Sequence, residues 1–266
     1  MTALVRADFA RRLEQARKTA TPLTLTENCN PDLFGNPEDS GRVAEELARL
    51  AEQQGRKRSG WKIGLTSTAA LKAFGAKEPM VGRLYADAAL PPGASLELSL
   101  AIAPRIEGEI MLEIAHPCSP EADETSLLAS IASVSLAIEI ADSRIDGWPG
   151  TVALAAADNA CCGWYMRSET ACKAEIGLLA RAHLTMLCNG EEVITGNASD
   201  NLAGDNLRGI LGIYRWFLQD SAETGRALTQ GDLLLTGALG PAIPMQQHST
   251  YQVSVNGLGA LALRTL

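Results

Sequence analysis

Apolar residues recur with two different periods along this chain. Leu4, Val5, Phe9 and Leu13 return every three or four positions between Ala3 and Ala16, the spacing of one helical face, and Val43, Leu47 and Leu50 repeat it. Glu38 and Asp39 stand in the first turn of that second helix, where carboxylates complement the helix dipole, and Gly55 ends it. Between the two helices, Pro22 to Pro37 is rich in Pro, Asn and Gly and reads as irregular loop, and Arg56-Lys57-Arg58 reads as a solvated one. From Trp61 the pattern changes to short strands. Trp61 to Leu65 is one, after which Ser67 caps a short helix through Leu71 and Phe74 that Gly75 stops. Arg105 to Ile114 alternates: Ile106, Gly108, Ile110, Leu112 and Ile114 share one face, Arg105, Glu107, Glu109 and Glu113 the other. In Val134 to Ala141, Val134, Leu136, Ile138 and Ile140 face one way, and Ser135, Ala137 and Glu139 the other. Asn189-Gly190 and Asn256-Gly257 predict two-residue hairpin turns, since both residues accept positive φ. Leu207, Ile210, Leu211, Tyr214, Phe217 and Leu218 mark an amphipathic helix, and Gly231 to Leu235 another strand. The pattern predicts an α+β fold: a small helical N-terminal region, 1–58, and a strand-rich body, 59–266.

Composition narrows the function classes. The 266 residues are 46% hydrophobic with a mean hydropathy of +0.02, which supports a sizeable core and excludes a disordered chain. No stretch approaches the roughly 18 uninterrupted apolar residues of a membrane span. Arg6, Asp8, Arg11 and Arg12 stand where a signal peptide would be apolar, so a cytoplasmic protein is expected. The net charge of −8, with no clustered basic stripe, argues against nucleic acid as a partner. Six cysteines (Cys29, Cys118, Cys161, Cys162, Cys172 and Cys188) include no Cys-x-x-Cys and, with three histidines, no zinc-ligand spacing; reduced buried thiols are expected.

Some of the acid is gathered. Glu107 and Glu109 sit two apart on a strand and so point the same way, and Glu139 interrupts the apolar strand Ser-Leu-Ala-Ile-Glu-Ile-Ala. Two carboxylates about 4 Å apart repel by about 4 kcal/mol at an effective dielectric near 20, and burial adds to that cost. Either one is protonated or a cation lies between them, and an all-oxygen set favours Mg²⁺ or Mn²⁺ over zinc. Lys62, flanked by apolar residues, is either a lysine reaching the surface or an ammonium set near the acids. Arg144 and Asn159 follow strand and helix ends, where site residues gather, and Thr236-Gly237 offers a hydroxyl and an N–H to an anion.

Trp61-Lys62-Ile63-Gly64-Leu65-Thr66-Ser67, Pro104-Arg105-Ile106-Glu107-Gly108-Glu109-Ile110, Ala137-Ile138-Glu139-Ile140-Ala141-Asp142-Ser143-Arg144, Ala157-Asp158-Asn159 and Gly231-Asp232-Leu233-Leu234-Leu235-Thr236-Gly237-Ala238 together resemble the 2-keto-4-pentenoate hydratases of the fumarylacetoacetate hydrolase superfamily. The resemblance runs from about Trp61 to the C-terminus. It implies a mixed β-roll body, a homo-oligomer and a Mg²⁺ or Mn²⁺ ion held by Glu107, Glu109 and Glu139. It also implies an active-site Lys62 and a small 2-hydroxy-2,4-dienoate substrate, an intermediate of aromatic meta-cleavage, with Ser67 or Thr236 helping Lys62 to hold the carboxylate.

Two departures qualify it. The hydratases carry an acid/base Asp after the proline of a Pro-x-x-Gly segment; here that segment is Pro79-Met80-Val81-Gly82, and Met80 cannot move a proton. The sibling 2-oxo-3-hexenedioate decarboxylases place an apolar residue there, whereas Ala157 to Gly163 and Thr236 to Pro241 look more hydratase-like. Asp87 is the nearby substitute for the base. Gly196-Asn197-Ala198-Ser199-Asp200 replaces a small-residue run and would reshape the pocket. The competing readings are the decarboxylase, a non-catalytic homologue that keeps the metal, and an acylpyruvate hydrolase, against which stands the absence of any histidine before His116.

Overall fold

The computed structural model of the chain describes residues 2–25, 37–203 and 207–266. In chain order its elements begin with α1 (Ala3–Thr19), α2 (Pro37–Gln53), β1 (Arg58–Gly64), α3 (Thr68–Phe74), β2 (Met80–Tyr85), β3 (Ala89–Leu90), β4 (Ser95–Leu96) and β5 (Arg105–Ile114). There follow α4 (Glu124–Ala129), β6 (Ile131–Ala141), α5 (Val152–Ala157), β7 (Cys162–Cys172), α6 (Ile176–Ala180), β8 (His183–Cys188) and β9 (Glu191–Asn197). The last are β10 (Leu202–Ala203), β11 (Leu207–Arg208), α7 (Gly209–Thr224), β12 (Leu233–Ala238), β13 (Ile243–Pro244), β14 (Thr250–Val255) and β15 (Gly259–Thr265).

The larger sheet has the order β2-β1-β12-β5-β6-β7-β3, with β13 also on β5; the smaller has the order β4-β15-β14-β8-β9. Ile106, Ile110, Leu112, Ile138 and Ile140 of β5 and β6 meet Leu184, Met186, Val253 and Leu263 of the smaller sheet and Ile213, Tyr214 and Phe217 of α7. The alternation read from the sequence therefore has a physical partner on its apolar side. Gly108 fixes how closely the sheets approach: a Cβ there would lie 2.3 Å from Leu184 Cδ1 and 2.8 Å from Val253 Cγ1. The other face of β5 and β6 turns toward Leu84, Tyr85 and Ala51, the last from α2, which pack with Met111, Ala137 and Leu235.

Both N-terminal helices form where the apolar period places them. Phe9, Leu13 and Ala16 of α1 pack with Val43 of α2 and with Ile145 and Leu154 of the body. Leu4, expected on that face, is 82% exposed, because this packing reaches α1 only from Phe9 onward. Of the loop expected over Pro22 to Pro37, residues 26–36 lie outside the described residues, as therefore does Cys29; Leu23 forms a bridge with Ile145, and Pro37 already begins α2. The basic run is not simply solvated. Arg56 pairs with Asp87 and stacks on Tyr85, and Arg58 pairs with Asp232 and stacks on Trp61.

Ser67 caps α3 by accepting the Ala70 N–H at 3.1 Å, and Gly75 ends it at φ 62°. Asn189 (φ 53°) and Gly190 (φ 90°) turn β8 into β9 as expected. The second hairpin differs: Val255 pairs with Gly259, so the turn spans three residues with Gly257 at φ 80°. The Asn256 carboxamide is spent elsewhere, accepting the His183 N–H and donating to Arg181 O. Leu207 lies in the β10–β11 ribbon rather than in α7, which starts after it. Among the described residues Cys118, Cys161, Cys162, Cys172 and Cys188 are free thiols, and Cys161 and Cys162 are buried.

Replacing Gly108 by Val should force the two sheets apart or Leu184 off its rotamer. A loss of about 1–3 kcal/mol in stability by urea unfolding is the expected result.

Candidate metal centre

The register of the larger sheet brings the acids together. Glu107 on β5 pairs directly with Glu139 on β6, and Glu109, one pleat further along, pairs with Ala137. Each of the three offers a carboxylate oxygen within 4.8 Å of the others. Glu109 and Glu139 are buried and Glu107 is half-buried. Lys62 enters from β1, where it pairs with Leu235 of β12 on one side and Gly82 of β2 on the other. Its side chain crosses the same face, and Nζ donates to Glu139 Oε1 at 2.5 Å.

A bulge in β12 between Leu235 and Ala238 turns the Gly237 N–H onto Glu109 Oε2 at 2.9 Å. Gly237 needs to be glycine: its φ is +93°, and a Cβ would lie 2.0 Å from Thr66 Oγ1. The buried Asn201 donates through Nδ2 to Gly237 O at 3.2 Å and to Thr66 Oγ1 at 3.4 Å, pinning the bulge. Sequence reasoning missed Asn201. The only signal was its place beside the unusual Gly196–Asp200 run.

The electrostatics ask for a cation. Burial, then Glu139, raises the Glu107 carboxyl to about 7; burial, then Glu139 and Glu107, pushes Glu109 well above the usual carboxylate range. Burial opposes the Lys62 ammonium, yet Glu139 and Glu107 outweigh it and hold its pKa above the ordinary value. Glu139 Oε2 is buried with no hydrogen-bond partner. An orphaned carboxylate oxygen among three converging acids fits a ligated cation, because an unpaired buried anion is otherwise strongly disfavoured. Three carboxylates and one ammonium leave two negative charges, the complement of one divalent ion held by hard oxygen donors.

Other expected site residues lie elsewhere or are engaged. Asp87 is bonded to Arg56 through both oxygens, at 2.7 and 3.1 Å, and its side chain is half exposed; the structure does not bring it to the acids. The Arg144 guanidinium is turned into the protein, donating to Asp158 O and Cys162 O and pairing with the Asp158 carboxylate. Thr236 Oγ1 donates to Ile110 O at 2.9 Å, so of the expected pair only the Gly237 N–H faces a carboxylate. Ser67 serves as the α3 cap.

Asn159 clamps β2, donating to Arg83 O and accepting from Arg83 N–H. It opens a left-handed turn with Ala160 and Cys161, at φ 52°, 52° and 56°, each costing about 1 kcal/mol. Met80 packs on the Lys62 side of the sheet: a Cβ on Gly64 would meet Met80 Cε at 3.3 Å and Lys62 Cε at 3.9 Å.

No family model matches the chain. Over 229 residues it is 32% identical to 2-keto-4-pentenoate hydratase 2 of Dechloromonas aromatica, covering 84% of each sequence. It is also 30% identical to the 2-keto-4-pentenoate hydratase of Burkholderia vietnamiensis, over 96% of this chain and 95% of that one. The chain belongs to the 2-keto-4-pentenoate hydratase family. Among solved structures, the 4-oxalocrotonate decarboxylase from Pseudomonas putida G7, complexed with magnesium and adipate, superposes with a TM-score of 0.91. That neighbour is 26% identical and matches 100% of this chain and 99% of its own. The mixed β-roll expected from the resemblance is thus the fold, and this hydratase-family chain is a metal-dependent lyase by kinship.

Without metal, folded Glu107 and Glu109 keep protons that the unfolded chain has released. Stability should therefore fall as pH rises from the ordinary 4.5 toward about 7. Added Mg²⁺ requires the ionised ligands, so the rise in Tm that it causes should grow with pH over the same interval, as scanning calorimetry would read.

Proposed function

We propose that the chain is a divalent-metal-dependent hydratase of 2-hydroxy-2,4-dienoates in aromatic meta-cleavage catabolism, with Glu107, Glu109 and Glu139 as metal ligands. The observation that carries this reading is the orphaned Glu139 Oε2 in a buried acid triad, beside an ammonium, in a chain of this family. The ion supplies Lewis-acid stabilisation of the negative charge that develops on the substrate's oxygens. Mg²⁺ or Mn²⁺ suits the all-carboxylate set. Assembly as a homo-oligomer in the cytoplasm completes the proposal.

The chain's own groups divide the remaining work. The raised pKa keeps Lys62 protonated at Nζ, so it holds Glu139 in place and carries a proton at the site. The Gly237 N–H fixes Glu109 so that its other oxygen is free to ligate. Beside the ligands on the same sheet face, Met111, Ala137 and Leu235 pack with Leu84 and Tyr85 and exclude water from that flank of the site.

Met80 supports a second reading. A thioether beside Lys62 can neither accept nor donate the proton that hydration needs, whereas loss of CO₂ from 2-oxo-3-hexenedioate requires only stabilisation of the developing charge. The structural neighbour named as a decarboxylase agrees with it.

With Mg²⁺ and 2-hydroxypenta-2,4-dienoate, the dienol absorbance should disappear and 4-hydroxy-2-oxopentanoate should accumulate. Release of CO₂ from 2-oxo-3-hexenedioate without hydration would favour the second reading, and turnover of neither substrate would overturn the enzyme assignment in favour of a non-catalytic metal-binding homologue. Lys62→Met should lower kcat by about 10²-fold or more, and Glu109→Gln should remove metal binding and turnover together.

A further inference from the structure

We propose that Arg105, braced on Trp148, is the anchor for the carboxylate end of the substrate, and that the opposite, Met80 end of the site takes an uncharged tail. The inference deepens the functional reading above and rests on the site's accepting a 2-oxo or 2-hydroxy acid.

Three carboxylates, Lys62 and a divalent ion sum to a neutral centre, so an anionic substrate needs a further cation. Lys62 is committed to Glu139. Arg105 is the next residue outward on the acid face of β5, one pleat beyond Glu107, about 7 Å along the strand. Among the described residues no carboxylate pairs with it: its guanidinium carbon lies 4.6 Å over the Trp148 ring instead. A cation held on an aromatic face keeps its N–H groups available to a planar carboxylate.

The support is built for position. Trp148 Nε1 donates to Ala103 O at 3.0 Å. The Asp142 carboxylate accepts the N–H groups of Ile102 and Ala103, and Pro104 O accepts from Met245 N–H at 3.0 Å. The segment leading into Arg105 is thus bonded from three directions. Trp148 itself sits at φ 69°, a left-handed backbone that non-glycine residues rarely adopt and that orients the ring. Across the sheet, β12 and β1 separate β5 from β2, and there Met80 over Gly64 presents a thioether to the same face as Lys62. Charge at one end and apolar surface at the other set the direction of the substrate.

Binding tests this without turnover. Oxalate is titrated into Mg²⁺-loaded protein, followed by calorimetry and by tryptophan emission. Arg105→Gln should weaken oxalate by about tenfold or more, the worth of a charge-assisted bidentate pair, while Mg²⁺ binding, which also reports folding, is kept. Arg105→Lys should fall between. The emission change should vanish in Trp148→Phe. 2-Oxohexanoate should bind more tightly than 2-oxoadipate. Equal oxalate affinity in Arg105→Gln and the natural chain overturns the anchor, and a preference for 2-oxoadipate overturns the uncharged tail. If no dienoate is turned over yet oxalate binding depends on Arg105, the hydratase reading fails and the anchor stands. If turnover is observed and Arg105→Gln binds oxalate unchanged, the reverse holds.

Discussion

Three carboxylates placed side by side on a buried sheet face constrain everything around them. At an effective dielectric near 20 each close pair costs about 4 kcal/mol, and burial, followed by this repulsion, raises the pKa values of Glu107 and Glu109 in the metal-free protein. The fold tolerates it through specific concessions. Lys62 crosses from β1 to neutralise Glu139, a bulge in β12 spends a backbone N–H on Glu109, and one oxygen of Glu139 is left with nothing. That leftover oxygen and the two uncompensated charges are what a divalent cation would satisfy.

Rigidity is the second requirement, because ligands that can separate will relieve their repulsion by moving apart. On the far side of β5 and β6, the two sheets approach so closely at Gly108 that no side chain fits. At the edge of the site, Asn159, Ala160 and Cys161 are held in a left-handed turn that their side chains disfavour. Arg144 bonds to the carbonyls at both ends of that turn, and Asn159 locks it to β2 across from Lys62. Arg144 thus acts on the site through the backbone it supports and not by contact with a ligand.

How much of this was legible in the sequence depended on the range of the interaction. Glu107 and Glu109 share a face by the two-residue period of a strand, and Glu139 stood out as a charge inside an apolar run; local pattern was enough. The Ser67 cap and the Asn189-Gly190 turn were equally local. Asp87 and Arg144 were misplaced because their partners are set by tertiary pairing: Arg56 lies 31 positions from Asp87, and Arg144 is spent on a turn 14 to 18 positions away. Asn201 was invisible for the same reason, since it is defined by Thr66, in the segment after β1, and by Gly237 on β12. Arg105 was placed on the acid face by alternation alone, but Trp148, which holds it, comes from a distant loop.

Whether the three glutamates hold a divalent ion is decided by calorimetric titration of Mg²⁺ into metal-free protein near pH 7, repeated in two buffers of different ionisation enthalpy. One ion should bind per chain with net proton release, because ligands that burial keeps partly protonated must ionise to bind it. Glu139→Gln should abolish the binding. No saturable heat in the natural chain, or binding that survives Glu139→Gln unchanged, would contradict the assignment of the three glutamates as ligands.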